Sequence, residues 1–208
     1  MKAIVATGYG SPDVLQLKDV EQPSPKDNEI LVRVHAASVT AADGMMREGS
    51  TIYGRLILGL LKPKYPIQGT GVAGVAESAG KDVTRFKAGD RVFGETVFGP
   101  GSHAEFVCIP EEGVLAFKPD NMSFEEAAPV CDGFVTSLNF LRDVHELHSG
   151  QHVLINGASG SLGTAAVQLA KHFGAEVTGV CSSANVDLVK SLGADHVIDY
   201  TKVDFTSN

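Results

Sequence analysis

The sequence predicts two folds in tandem, an all-β domain over about the first 120 residues and, from residue 152, the βαβαβ half of a doubly wound parallel α/β sheet. Three observations predict it. In the first part, β-branched runs are short and bounded by Gly, Pro, Asp and Asn, the punctuation of strands and turns. Residues 152–155 form a continuous apolar run that enters a glycine-rich loop and then a stripe of helical period. Strand and helix then alternate again as far as Tyr200.

Within the first part the expected strands are 3–6, 14–20, 30–36, 72–78, 91–93 and 104–109. Ile30-Leu31-Val32-Arg33-Val34-His35 alternates imperfectly, as a strand does when one face lies in a core and the other is partly covered. Residues 43–65 carry no clean period and read as a loop with one short helix. Ser123 followed by Glu126 spells a capping box, and Pro129 ends or kinks the helix it opens. Phe134, Leu138 and Leu141 recur at i, i+4 and i+7, giving a second helix one buried face. The expected division is 1–122 for the β domain, 123–150 for connecting helices and 151–208 for the α/β half.

The apolar run at 152–155 leads into Asn156-Gly157-Ala158-Ser159-Gly160-Ser161-Leu162-Gly163. The helix that follows places Leu162, Ala165, Ala166, Leu169 and Phe173 on one face and ends at Gly174. A second strand at 176–181, a second helix at 184–192 stopped by Gly193, and a third strand at 196–200 complete the pattern. A glycine triplet alone is a weak signal, but one that closes a buried strand and opens an amphipathic helix has the context of a dinucleotide loop. Gly157 permits the tight turn, Gly160 lets the backbone approach a pyrophosphate, and Gly163 lets the helix sit close to the strand. Ser159, Ser161 and Leu162 complete the loop and the first helical turn, whose free amides and positive dipole end attract phosphate. At the end of the second strand an acidic residue would take a free ribose 2′-hydroxyl. Here Cys181-Ser182-Ser183 offer two hydroxyls and no carboxylate, which favours NADPH over NADH. The other reading of Ser182 and Ser183 is that they cap the helix beginning near Ala184.

Composition excludes several classes. Seventeen Lys plus Arg against 25 Asp plus Glu leave a formal charge of −8, the wrong sign for nucleic acid or an anionic membrane surface. Three cysteines, Cys108, Cys131 and Cys181, lie too far apart for a disulfide framework or a metal-ligand pair, which suits a reducing cytoplasm. The apolar stretch 56–61 is too short to cross a bilayer, and the first residues lack a signal-peptide core.

With Gly89-Asp90-Arg91-Val92, the segment Val39-Thr40-Ala41-Ala42-Asp43, the strand start at 69–73 and the run VLINGASGSLGTAAVQLAKHFGAEV, the chain resembles the medium-chain dehydrogenase/reductase superfamily, and in it the zinc-independent quinone oxidoreductases. The resemblance implies a GroES-like β-barrel domain followed by a Rossmann domain present as its first βαβαβ half, with substrate in the cleft between them. It implies NADPH as cofactor and a quinone or an α,β-unsaturated carbonyl as substrate. Thr40 matches the position that faces substrate, Thr136 a threonine beside the nicotinamide ribose, and Tyr200 a tyrosine near the adenosine phosphate. Each of the three has a plainer reading as a strand-end or packing residue. Tyr53 is a candidate for stacking on a quinone, or an amphipathic surface residue.

Where zinc-dependent members carry their catalytic ligands, this sequence has Thr40, Thr70 with Gly71, and Asp132, and it lacks the four close cysteines of the structural-zinc lobe. Two hydroxyls and one carboxylate do not make a tetrahedral zinc site, so no metal is expected. Asp132 departs from the family's small or apolar pair, and a carboxylate there needs a partner or must turn away from the cofactor. Without a Lewis acid, reduction of an electrophilic conjugated carbonyl is favoured over alcohol oxidation, and a zinc alcohol dehydrogenase ranks below it.

The sequence reaches only the third strand of the six in such a sheet, which leaves the first strand with an open edge. The expectation is a piece of a longer reductase that associates through that edge, homo-oligomeric and inactive alone. The rival is a catalytically inactive truncated fragment that acts by association or by nucleotide binding.

Overall fold

Antiparallel pairing of the β-branched runs builds the first part of the molecule. The computed structural model describes residues 1–50, 52–96 and 99–204, apart from the side chains of Ile52, Tyr53 and Ile57. Two units divide it, Met1–Val130 and Cys131–Asn208. In the first, β1 (Lys2–Ala6) pairs with β2 (Leu15–Asp19). A five-stranded antiparallel sheet of order β6-β3-β4-β5-β7 comprises β3 (Glu29–Ala37), β4 (Gly71–Ala79), β5 (Arg91–Glu95), β6 (Phe106–Pro110) and β7 (Val114–Phe117). Bridges from Ala3 to Ala104 and from Val5 to Ile67 tie β1 to the loops of this sheet.

The imperfect alternation of β3 has a structural cause. Its register with β4 shifts between Leu31 and Val32 and again between Val34 and Ala36. Such bulges break the strict in-and-out alternation, and Ile30, Leu31 and Val32 are all buried in succession. Ile30 and Val32 pack with Val72, Val92, Val107 and Ile109 in the core of the unit. β7 was not expected from the sequence, because only Leu115 of its four residues is buried and no alternation is visible.

Residues 43–65 hold two helices where one short helix was expected. These are α1 (Ala41–Glu48) and α2 (Ile52–Leu58). Thr40 caps α1 through a capping box with Asp43, and Gly49, at φ +56°, ends it. Periodicity could not show α1, since its one buried residue is the polar Asp43. α3 (Phe124–Ala127) opens with the expected capping box, Ser123 Oγ accepting from the Glu126 amide at 3.1 Å and Glu126 Oε2 from the Ser123 amide at 2.8 Å.

The second unit begins with α4 (Thr136–Leu138), flanked by the π-wound turns Cys131–Val135 and Asn139–Val144. The wider winding blurs the expected stripe, in which Leu141 is buried while Phe134 and Leu138 are half-buried. There follow β8 (His152–Asn156), α5 (Ser161–His172), β9 (Glu176–Cys181), α6 (Val186–Ser191) and β10 (His196–Asp199). The three strands are parallel in the order β10-β9-β8, the first βαβαβ half of a doubly wound sheet.

One helix face differs from expectation. Leu162 is 49% exposed, and the buried residues of α5 are Gly163, Ala165, Val167 and Ala170. The helix turns small residues to the sheet so that its axis can approach closely, which lifts the larger Leu162 of the first turn outward. Among the described residues no helix is long and apolar enough to cross a membrane.

Candidate functional site

The loop from β8 to α5 is shaped by its three glycines in three different ways. Gly157 adopts φ +74°, a left-handed conformation that glycine supplies without strain, and its amide and that of Ala158 donate to Val180 O at 3.1 and 2.9 Å. Gly160 is the N-cap of α5, in extended conformation, and a Cβ there would meet only Gly157 O at 3.4 Å. Nothing else lies within 4 Å of that position. A Cβ on Gly163 would instead overlap the Gly157 carbonyl oxygen and crowd Ala158 Cα at 2.7 Å, so this glycine serves packing. Gly160 contributes no side chain to cap the first-turn amides of α5. A backbone cradle with an uncapped, positive helix end is the arrangement that takes a pyrophosphate. The donors present therefore fit a dinucleotide, which Ser159, Gly160, Ser161 and Leu162 would hold, with Gly157 and Gly163 shaping the loop around it.

At the neighbouring strand end, Asn185 links the two halves of this surface. Its Nδ2 donates to Ser159 Oγ at 3.1 Å and to Ser182 Oγ at 3.3 Å, tying the glycine loop to the residues after β9. Ser182 does not cap the turn Ser183–Asn185 that it precedes. Ser183 Oγ donates to Asp199 Oδ2 and lies 3.0 Å from Thr201 Oγ1. Asp199 stands opposite Cys181 in the parallel register of β10 and β9. Sequence reasoning missed this carboxylate because it comes from the next strand, 16 residues from Ser183. The Ser183 and Thr201 hydroxyls hold it well below the usual carboxylate range. Tyr200, 57% exposed, lines a groove with Asn156, Thr201 and Lys202. Thr136 is exposed on α4.

In the first unit, Thr40 is more constrained than a strand-end threonine. Its hydroxyl donates to Asp43 Oδ2 at 2.9 Å, and the same oxygen accepts from the Thr40 amide at 2.7 Å. Asp43 is 5% exposed, and its Oδ1 has no hydrogen-bond partner. Thr70 lines a small cavity of about 80 Å³ with Tyr9, Met46, Leu58, Tyr65 and Thr96. Tyr9, Tyr65 and Thr96 come from segments far apart in the chain, and no spacing in the sequence points to them. The side chain of Tyr53 lies outside the described residues.

Zinc does not fit the matched positions. Thr40 is occupied as a helix cap, Thr70 and Gly71 bring neither thiolate nor imidazole, and Asp132 brings a single carboxylate. Among the described residues no three His, Cys, Asp or Glu stand together as a metal ion would require.

Residues 26–120 match the family "Alcohol dehydrogenase GroES-like domain", and residues 161–208 match "Zinc-binding dehydrogenase". A GroES-like domain followed by a Rossmann half defines a class of two-domain dehydrogenases, and the chain belongs to it, the medium-chain dehydrogenase/reductase superfamily. Its relatives there are quinone oxidoreductases and enone reductases. It is 38% identical to the 2-methylene-furan-3-one reductase of Solanum lycopersicum, over 99% of this chain and 53% of that protein. It is 35% identical to the chloroplastic NADPH-dependent alkenal/one oxidoreductase of Arabidopsis thaliana, over 97% of this chain and 53% of the relative. The solved quinone oxidoreductase of Coxiella burnetii superposes with a TM-score of 0.88 at 33% identity, covering 99% of this chain and 64% of that one. The chain thus spans about half the length of the curated relatives it matches.

Proposed function

We propose that these residues are the substrate domain and the first nucleotide-binding half of an NADPH-dependent, zinc-independent reductase of quinones or α,β-unsaturated carbonyls. The observation that carries the reading is the open approach at Gly160, at the uncapped N-terminus of α5. Relatives named quinone oxidoreductase and NADPH-dependent alkenal/one oxidoreductase support the reaction class and the cofactor. The dihydronicotinamide, when bound, supplies the hydride to an already electrophilic carbon.

The remaining work falls to the chain's own groups. The amides of the first turn of α5 neutralise the pyrophosphate, and Tyr200, Ser182 and Ser183 receive the adenosine half, with Thr136 beside the nicotinamide ribose. Thr40 is the proposed donor to the oxygen on which charge develops, and Tyr53 the residue that stacks on the acceptor ring. For Thr40 to act, its hydroxyl must exchange the bond to Asp43 for one to substrate. Asp43 keeps the Thr40 amide as partner when that happens. Hydroxyls at Thr40 and Thr70 supply hydrogen bonds and no Lewis acid, which suits conjugate reduction and disfavours alcohol oxidation.

β8 is the edge strand of its sheet and Leu154 is 53% exposed, so within these residues one side of the nucleotide site has no wall. Hydride transfer tolerates little misplacement, and about 1 Å can cost on the order of 100-fold in rate. The chain alone is expected to bind nucleotide and associate through β8 while turning over quinone slowly. Steady-state oxidation of NADPH with a simple quinone and with a simple enone, beside metal analysis of chelator-free protein, tests the proposal. Slow NADPH consumption with either acceptor and no stoichiometric zinc is expected. One tightly held zinc per chain, or alcohol oxidation in place of quinone reduction, would overturn the reading.

A further inference from the structure

The adenosine end of the nucleotide surface contains a cation that strand and loop spacing did not single out. In a doubly wound half, the adenosine ribose lies at the C-terminal end of the second strand. Here that strand is β9, and Ser182 and Ser183 follow it. The parallel register brings Asp199, the last residue of β10, beside Cys181. Asp199 Oδ2 accepts from Ser183 Oγ, and the same oxygen lies 3.2 Å from Lys202 Nζ. Asp199 Oδ1 is taken by Thr201, at 3.0 Å from its amide and 2.6 Å from its hydroxyl.

We propose that Lys202 is the cation that receives the 2′-phosphate of the adenosine half, and that Asp199 holds it at the mouth of the site when no phosphate is there. The inference rests on the dinucleotide reading given above. Two groups that meet on one oxygen lie no further apart than two hydrogen-bond lengths, on the order of 6 Å. A phosphate with three oxygens spans that distance, so one anion can take both the Ser183 hydroxyl and the Lys202 ammonium. The side chain of Lys202 is 71% exposed and can swing to a new partner, whereas that of Asp199 is 12% exposed and pinned by Thr201. Asp199 stays ionised and donates no proton to an arriving phosphate. Left alone, its negative charge would repel a 2′-phosphate, and the lysine offsets it. Tyr200, Thr201 and Lys202 share one groove with Asn156, which gives the adenosine moiety a surface next to that cation.

The test uses two probes that differ at the 2′ position, adenosine 2′,5′-bisphosphate and adenosine 5′-monophosphate, titrated calorimetrically into the 208-residue chain. The wild type should hold the bisphosphate more tightly. Lys202→Met should weaken the bisphosphate by about tenfold, the size of one lost charge-assisted contact, and leave the monophosphate unchanged. Lys202→Arg should restore most of the loss. Asp199→Asn should tighten the bisphosphate alone, because the lysine no longer has a competing carboxylate, and a gain of affinity cannot come from misfolding. A wild type that discriminates between the probes while Lys202→Met discriminates equally would overturn this inference and leave the NADPH reading standing. A wild type that holds both probes alike, or neither, would overturn both.

Discussion

A Cβ placed on Gly163 would overlap the carbonyl oxygen of Gly157, while one placed on Gly160, three residues earlier, would meet that oxygen at an ordinary 3.4 Å. Two glycines of one loop therefore have separable duties. Gly163→Ala should cost about 1–3 kcal/mol, since backbone must shift to admit it. Gly160→Ala should change stability by less than about 1 kcal/mol, its backbone already lying where any residue is comfortable. Urea midpoints of the two variants decide the matter, and equal losses would contradict the division.

Thr40 is both a helix cap and the proposed hydrogen-bond donor, and the two roles can be separated. Thr40→Ala removes the side chain that accepts from the Asp43 amide and should cost about 0.5–2 kcal/mol. Thr40→Ser keeps the hydroxyl and should restore stability. A Thr40→Ala variant as stable as the wild type in thermal unfolding would show that the capping box contributes nothing.

Asp199 and Asp195 are both held below the ordinary carboxylate range, Asp199 by Ser183 and then Thr201, Asp195 by the Lys171 ammonium and then the Val177 amide. A depressed carboxylate contributes stability that is present above its unfolded pKa, about 3.9, and is lost as pH falls through its folded value. The second unit should lose stability below about pH 4, and less steeply in Asp195→Asn or Asp199→Asn. Urea unfolding followed by circular dichroism across that range is the measurement. Identical slopes in wild type and both variants would contradict the assignment.

Cys108 is half-buried, and burial, with Glu29 adding to it, pushes its thiol up to about 11. Alkylation by iodoacetamide near pH 8 should be slower than for a free cysteine by on the order of 100-fold, because only the thiolate attacks. Raising the pH toward 11 should recover the rate. Labelling as fast as a free thiol near pH 8 would show that Cys108 is not shielded as described.

The sequence carried the local features and lost the ones that depend on pairing between strands. The βαβαβ order, the capping box at Ser123 and the stop at Gly174 are written in contiguous residues, where spacing reports geometry directly. α1 was invisible because its buried residue is Asp43, which no apolar period reveals. β7 was invisible because three of its four residues are exposed. At the candidate site, the glycine loop was legible for the same contiguous reason. Asp199 was not, because it reaches Ser183 only through the parallel register of β10 and β9, and reading Cys181-Ser182-Ser183 along the chain gave a surface free of carboxylate.

On the function proposed above, the loop opening α5 holds a nicotinamide dinucleotide by its backbone. Titration of NADPH and NADH by nicotinamide fluorescence, against the wild-type chain and Gly160→Val, tests it most directly. Bulk at Gly160, where a Cβ meets only the Gly157 carbonyl oxygen, should abolish binding of both nucleotides while the melting temperature stays close to that of the wild type, and the wild type itself is expected to bind NADPH more tightly than NADH. Undiminished nucleotide binding by a folded Gly160→Val chain, or no binding of either nucleotide by the wild type, would contradict the claim.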